Sequence, residues 1–329
     1  MERALATIQT IQAIDPIPAA DRIETATVLG WKVVVQKGQF HPGDRCIFCE
    51  VDSLLPEREA FEFMRPRGFR VKTTLLRGQL SQGLLLVPED FSVQNLTVGT
   101  DVTKQLGIQQ YRHPSEDDPD SEVIGPLPGF LPRTKEPRVQ SFPGVLDEMQ
   151  GLQCYISTKL NGKSCTVYNA GSDLLVCGRR GQMLNHADSP YWNAIAAYRL
   201  DQKLESEASH YAVQGEVVGP GIRGNQLGLD RLDFRCFNVY EVRHGRYLDY
   251  YDFVTFCYEH ELETVPLERV NLKFDFTLPE LLRMTEGNYD SGHPQEGIVV
   301  RPLVEQYSPT LKGRLSFKVL NDQHLLTEE

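Results

Sequence analysis

Ser157-Thr158-Lys159-Leu160-Asn161-Gly162-Lys163-Ser164 follows the apolar run Cys154-Tyr155-Ile156 and leads into a second strand-like run. A lysine at the end of an apolar strand, followed at once by Asn-Gly, can be held at the mouth of a pocket. There it is part-desolvated and able to lose its proton, which is what a nucleophilic amine requires. The tetrapeptide Lys159-Leu160-Asn161-Gly162 also reads as an ordinary hairpin turn. The residues downstream decide between the two.

Fifty-seven residues on, Glu216 stands in Val213-Gln214-Gly215-Glu216-Val217-Val218-Gly219, a short apolar strand with one carboxylate that ends in glycine. Burying that charge is costly unless a cation or a hydroxyl meets it. Gln295-Glu296-Gly297-Ile298-Val299-Val300-Arg301-Pro302 repeats the design, and Leu315-Ser316-Phe317-Lys318-Val319-Leu320 sets a lysine in a final strand. Two in-strand carboxylates and two strand-associated lysines are too many for an ordinary core. They point to a pocket for polyphosphate and metal.

The chain has 329 residues, a length for two domains. Its net charge of −11 disfavours a general nucleic-acid coat, so a nucleic-acid surface would have to be a local patch. No run of eighteen apolar residues occurs and Met1-Glu2-Arg3-Ala4 lacks a signal-peptide pattern, so the expectation is a cytoplasmic, intracellular protein without a membrane partner, the nucleus left open. Seven scattered cysteines fit reduced thiols. Cys46 and Cys49 form a lone C-x-x-C whose sulfurs would point to opposite faces of a strand, so no structural metal is expected.

Residues 1–108 read as short strands separated by turns: an alternating run from Ala6 to Ile14 broken at Asp15-Pro16, a run from Val28 to Val35, and Cys46 to Val51 after Pro42-Gly43-Asp44. This spacing suggests an OB-fold barrel, with an SH3-like barrel as the alternative. Within it, Met64 to Arg77 carries Arg65, Arg67, Arg70, Lys72 and Arg77 and no acid, the segregated patch a nucleic-acid surface would need. Phe69 among the arginines adds the aromatic character used to hold single-stranded or nicked nucleic acid. The competing reading is a solvated loop answered by Glu57, Glu59 and Glu62. Residues 109–127, centred on the acidic, proline-broken segment Tyr111 to Glu122, read as a linker.

Residues 128–329 mix strands with helices. Ser189-Pro190 offers an N-cap and a first-turn proline, Thr277 to Glu280 has capping-box spacing, and Phe253, Phe256 and Cys257 share a helical face. The fold class expected is α+β: an OB-fold barrel followed by a nucleotidyltransferase domain, ATP-grasp-like, of antiparallel sheets flanked by helices.

In order, these segments resemble the motifs of the covalent nucleotidyltransferases, the polynucleotide ligases and capping enzymes. Lys159-Leu160-Asn161-Gly162 matches the nucleophile motif, Glu216 the third, Phe237-Asn238-Val239-Tyr240 the aromatic motif after it, Glu296-Gly297 the fourth and Lys318 the fifth. The closer resemblance is to ATP-dependent RNA ligases of the Deinococcus/Naegleria type, which place an OB domain first. It extends to Gly78 to Leu84 and to Pro132 to Gln140. The chain departs in having Asn161 where most ligases have aspartate and Ser316 where the fifth motif usually starts with lysine. Only eleven residues follow Lys318, so the C-terminal OB domain of DNA ligases and capping enzymes is not expected.

The resemblance implies ATP and Mg²⁺ (or Mn²⁺), with Lys159 attacking the α-phosphorus, the AMP then passing to a 5′-phosphate, and a 3′-hydroxyl displacing the AMP to seal the strand, at nicks or RNA ends. It implies that Glu216, Glu296 and Asn161 serve the metal, mostly through water, and that Lys318 steadies the α-phosphate. Phe237 or Tyr240 would stack on adenine, Arg138 and Arg179 contact phosphates, and Leu160 and Gly162 line the nucleotide site. A monomer is expected. Two alternatives stay open, a GTP-dependent capping-type guanylyltransferase and a non-catalytic OB-fold RNA-binding protein.

Overall fold

The computed structural model describes residues 3–111, 123–171, 173–207 and 210–327. They form two compact units, residues 3–111 and residues 123–327. Most of the expected linker, residues 112–122, lies outside the described residues. On either side of it, Gln109–Gln110 pairs with Ser53–Leu54, and Val123–Pro126 pairs with Gly181–Met183.

The first unit is built from short antiparallel strands. Arg45–Cys49 lies between Ala6–Thr10 and Leu84–Leu86, and Ala13–Pro16, Ile23–Val28 and Trp31–Gln36 form a meander. Two expected runs are subdivided. The Ala6 to Ile14 run breaks before Ala13, and Asp15-Pro16 does not end the second piece but pairs with Glu24 and Thr25, a position proline tolerates on an edge strand. The run from Val28 is cut by a hairpin at Leu29-Gly30, whose φ values of 51° and 79° suit the primed turns of tight hairpins. The strand Arg45–Cys49 is apolar on both faces: Ile47 and Cys49 enter one core with Phe61, Phe69 and Val71, while Cys46 and Phe48 enter another with Trp31 and Val33. The two sulfurs therefore diverge, as strand periodicity requires.

The second unit has two large antiparallel sheets and, among the described residues, a two-stranded pair, Tyr307–Ser308 with Gly313–Arg314. A seven-stranded sheet runs Val123–Pro126, Gly181–Met183, Leu174–Cys177, Lys163–Asn169, Tyr211–Val218, Asp233–Glu241, Arg246–Tyr247; a four-stranded sheet runs Leu267–Lys273, Gln153–Lys159, Gly297–Pro302, Phe317–Leu320. The larger sheet packs Val213, Val217 and Phe234 against Ile195 of helix Pro190–Tyr198 and Phe253, Phe256 and Cys257 of helix Tyr250–Glu259. Ser189 caps the first of these, its hydroxyl accepting from the Trp192 N–H. The smaller sheet buries Ile156, Val300, Phe317 and Val319 with Leu281 of helix Leu278–Met284, which Thr277 and Glu280 close with a reciprocal capping box. No helix among the described residues is long and apolar enough to cross a membrane.

This topology settles the reading of the central tetrapeptide. Gln153–Lys159 and Lys163–Asn169 do not pair with each other; the first pairs within the four-stranded sheet and the second within the seven-stranded one. Leu160-Asn161-Gly162 is the crossing between sheets, not a hairpin.

Candidate active site

The crossing places Lys159 where both sheets can serve it. From its own sheet, Lys159 lies opposite Gly297, so the neighbouring Glu296 is brought to the side chain and its Oε2 accepts from Lys159 Nζ at 2.8 Å. From the other sheet, Ser164 pairs with Glu216, and the backbone at Gly162 runs so close that a Cβ there would sit 2.4 Å from the Val217 carbonyl oxygen and 2.7 Å from Glu216 Cγ. Gly297 is equally required: its φ is 147°, and a Cβ would meet the Val319 carbonyl at 2.1 Å. Lys318 lies opposite Val299, one strand further, and its N–H donates to the Pro137 carbonyl at 2.8 Å, which brings Arg138 alongside.

Two carboxylates and two lysines thus share one part-buried region, Glu216 the most enclosed, and each changes the others. Burial presses Lys159 toward the neutral amine, but Glu296 and Glu216 outweigh it and hold its pKa above the ordinary lysine value. The expectation that the surroundings make this lysine ready to lose its proton is therefore corrected: in the absence of nucleotide the pocket holds an ammonium. Burial pushes Glu216 up to about 7, opposed by Lys159 and reinforced by Glu296. Lys318 falls to about 7, through burial first and then the cations Lys159 and Arg138. Arg179 is exposed on a turn, as a solvated residue would be, yet its charge reaches Lys159, Glu216 and Lys318.

The aromatic pair divides. At the register shift where Gln214 faces Asn238 and Gly215 faces Cys236, Phe237 is the extra residue of a bulge, a device that re-aims a side chain. It packs, as Tyr289 does, against the buried cluster of Leu160, Val218 and Val265 beside the crossing. Tyr240 belongs to a different cluster, with Leu131, Tyr168 and Ala212, and its ring meets Tyr247 edge-on at 5.1 Å. Of the two, only Phe237 is brought to the nucleotide-motif residues.

Asn161 is buried, and its Nδ2 donates to Gln226 Oε1 at 2.8 Å. Ser316 is also buried, and its hydroxyl accepts from Arg301 Nε at 3.0 Å. Arg301 itself is 2% exposed; it donates to Glu136 Oε1 at 2.7 Å and to the Phe237 carbonyl at 3.0 Å. The serine that departs from the lysine pattern therefore serves a buried arginine that holds the bulge in place. Three residues were not singled out from sequence. Tyr289, Gln226 and Glu136 sit in loops with no periodicity, and their partners are distant in the chain.

In the first unit the basic segment is partly spoken for. Arg65 pairs with Glu62 at 2.7 Å and lies over the Phe69 ring at 5.1 Å; Arg70 pairs with Asp52 at 3.4 Å and lies over Tyr111 at 3.9 Å. Phe69 is buried in the core, so the expectation that it offers a stacking surface for a base is corrected. Arg67, Lys72 and Arg77 are exposed.

Comparison with known proteins agrees with both units. An OB-fold domain model matches residues 5–88, and the RNA ligase family model matches residues 152–320, from just before the lysine strand to the end of the Lys318 strand. The chain belongs to the RNA ligase family. No curated protein matches it. Among solved structures it is similar to Naegleria gruberi RNA ligase with pyrophosphate, at 31% identity over 98% of both chains and a TM-score of 0.85. It is also similar to a lysine-to-alanine variant of that ligase with ATP and Mn, at 30% identity over 98% of both chains and a TM-score of 0.86. A glutamate-to-alanine variant with AMP and Mn gives 31% over 98% of both and 0.85.

Proposed function

We propose that this RNA ligase uses ATP and a divalent metal and works through an adenylated Lys159. The observation that carries the reading is the approach of Lys159 Nζ to Glu296 at 2.8 Å, with Glu216 across the crossing and Lys318 on the next strand but one. The similar Naegleria structures with ATP, AMP and Mn support the choice of nucleotide and metal. In the first step the Nζ lone pair attacks the α-phosphorus, the bond to the bridging oxygen breaks, and pyrophosphate leaves as a phosphoramidate forms. A 5′-phosphate oxygen then displaces the lysine, and a 3′-hydroxyl displaces AMP to leave a phosphodiester.

The residues present fit a hard cation. Glu216 and Glu296 put two carboxylates around one ammonium, and Asn161 adds an amide oxygen, a set suited to Mg²⁺ or Mn²⁺ that keeps most of its waters. Such an ion would offset charge on the α-phosphate and would compete for the carboxylates that keep Lys159 protonated. Lys318 and Arg138 supply positive charge to phosphate oxygens, with Arg179 at the exposed rim. Phe237 and Leu160 offer the apolar surface for adenine. Arg67, Lys72 and Arg77 are exposed cations of the basic segment and offer charge to a nucleic-acid backbone, and nicked duplex or RNA ends with 3′-hydroxyl and 5′-phosphate are the proposed substrates. The proposed protein acts as a monomer in the cytoplasm, with residues 1–108 as the nucleic-acid-binding domain, 109–127 as the linker and 128–329 as the adenylyltransferase domain.

The test is incubation with α-labelled ATP and Mg²⁺, beside a GTP arm. ATP label should attach covalently through an acid-labile, alkali-stable bond, and Lys159→Ala should abolish it. Label that survives the substitution removes the mechanism, and label from GTP alone makes the protein a guanylyltransferase.

A further inference from the structure

The roots of the nucleophile and of the carboxylate that meets it are joined by one side chain. Tyr289 Oη donates to the Lys159 carbonyl at 3.0 Å and accepts from the Asn161 N–H at 3.1 Å and the Glu296 N–H at 3.0 Å. A phenolic hydroxyl has one proton and two lone pairs, so this one is fully used on three backbone groups. Lys159 ends its strand, but Asn161 has left the sheet and Glu296 precedes the adjacent strand, so ladder pairing does not fix these two amides.

The tyrosine is itself held. It packs against the buried cluster of Leu160, Val218 and Val265, and its loop closes on itself through the Tyr289 N–H to the His293 carbonyl at 2.9 Å and the Gln295 N–H to the Gly287 carbonyl at 3.0 Å. The same loop reaches the partner of Asn161: the Ser291 hydroxyl donates to the Gln226 backbone carbonyl, and Gln226 Oε1 accepts from Asn161 Nδ2. The nucleophile crossing is thus clasped from one loop, by Tyr289 directly and by Ser291 through Gln226.

We infer that Tyr289 is a positioning residue for lysine adenylation, whose hydroxyl fixes the Lys159 backbone relative to Glu296 and Asn161 so that Nζ is aligned with the α-phosphorus. This rests on the adenylation proposed above. It acts through backbone geometry and not by contact with the nucleotide, so its loss should lower the rate of the lysine step more than the affinity for ATP. Once a strand is already adenylated, Nζ is no longer the attacking atom, and sealing should be less affected.

Tyr289→Phe keeps the ring and removes only the hydroxyl. With the full-length protein, the rate constant for self-adenylation from ATP should fall roughly tenfold to a hundredfold, as a misplaced reacting group implies. The KM for ATP should stay within about twofold, and sealing of a pre-adenylated strand should drop by less than about threefold. An unchanged adenylation rate, or equal losses in adenylation and sealing, overturns the inference. In the wild-type chain the Asn161 and Glu296 amides should exchange with deuterium at least about tenfold more slowly than exposed turn amides; fast exchange overturns it independently of how the variant folds. Wild-type protein that takes no label at all instead overturns the reading of the reaction beneath it.

Discussion

Lys159 shows how a single charge depends on its neighbours. Because Glu296 and Glu216 raise its pKa, the attacking neutral amine is the minor form at neutral pH, and the self-adenylation rate should climb as pH rises from mildly acid into the alkaline range. A flat rate profile would show that another step limits the reaction. The sign for stability is opposite: a raised lysine pKa gives a contribution that is complete below the unfolded value of about 10.4 and is lost as pH passes the folded value. Thermal stability of the nucleotide-free protein should therefore fall at the pH where the rate is still rising. At Asn161, the bond from Nδ2 to Gln226 can be replaced if Gln226 turns its amide and donates to a carboxylate. Asn161→Asp should keep self-adenylation within about threefold, whereas Asn161→Ala strands a buried partner and should cost about tenfold or more. Equal rates in the two variants would reduce Asn161 to a turn residue.

At the scale of elements, the bulge at Phe237 matters most. Strand Asp233–Glu241 would otherwise keep strict alternation, and the buried Arg301 braces the irregularity by donating to the Phe237 carbonyl while pairing with Glu136. Removing one member of a buried pair leaves the other uncompensated, so Arg301→Met should destabilise the protein by about 3–5 kcal/mol in denaturant titration. The double variant Arg301→Met/Glu136→Gln should recover part of that loss, since no lone charge remains. A loss under about 1 kcal/mol in the single variant would show that the pair does not brace the strand.

For the molecule as a whole, the net charge of −11 leaves nucleic-acid binding to local groups. Arg65, itself exposed, and Arg70 are paired with Glu62 and Asp52, and Arg67, Lys72 and Arg77 are exposed. Replacing the latter three with alanine should weaken binding to a nicked duplex and make its salt dependence shallower by about 0.9 per lost phosphate contact. Replacing Arg65 and Arg70 should act more on the stability of the first unit. Nick affinity and salt slope that are unchanged in the triple variant would identify the segment as a solvated face.

The sequence by itself determined what is local or ordered along the chain. Alternation and turn residues defined a small β-barrel, Ser189 and Thr277 announced helix starts, and the order of Lys159, Glu216, Glu296 and Lys318 identified the nucleotidyltransferase half. These signals are readable because strand periodicity, capping and motif spacing act over a few residues. Tertiary structure decided the rest. Tyr289 lies 130 residues from the carbonyl it holds, and a loop tyrosine has no periodicity to reveal that bond. The protonated state of Lys159 is a sum over burial and two distant carboxylates, the burial of Phe69 depends on the core around it, and the choice of Phe237 over Tyr240 depends on a one-residue register shift. Each arises where segments remote in the chain meet, so the partner that fixes the outcome is specified only once the sheets have formed.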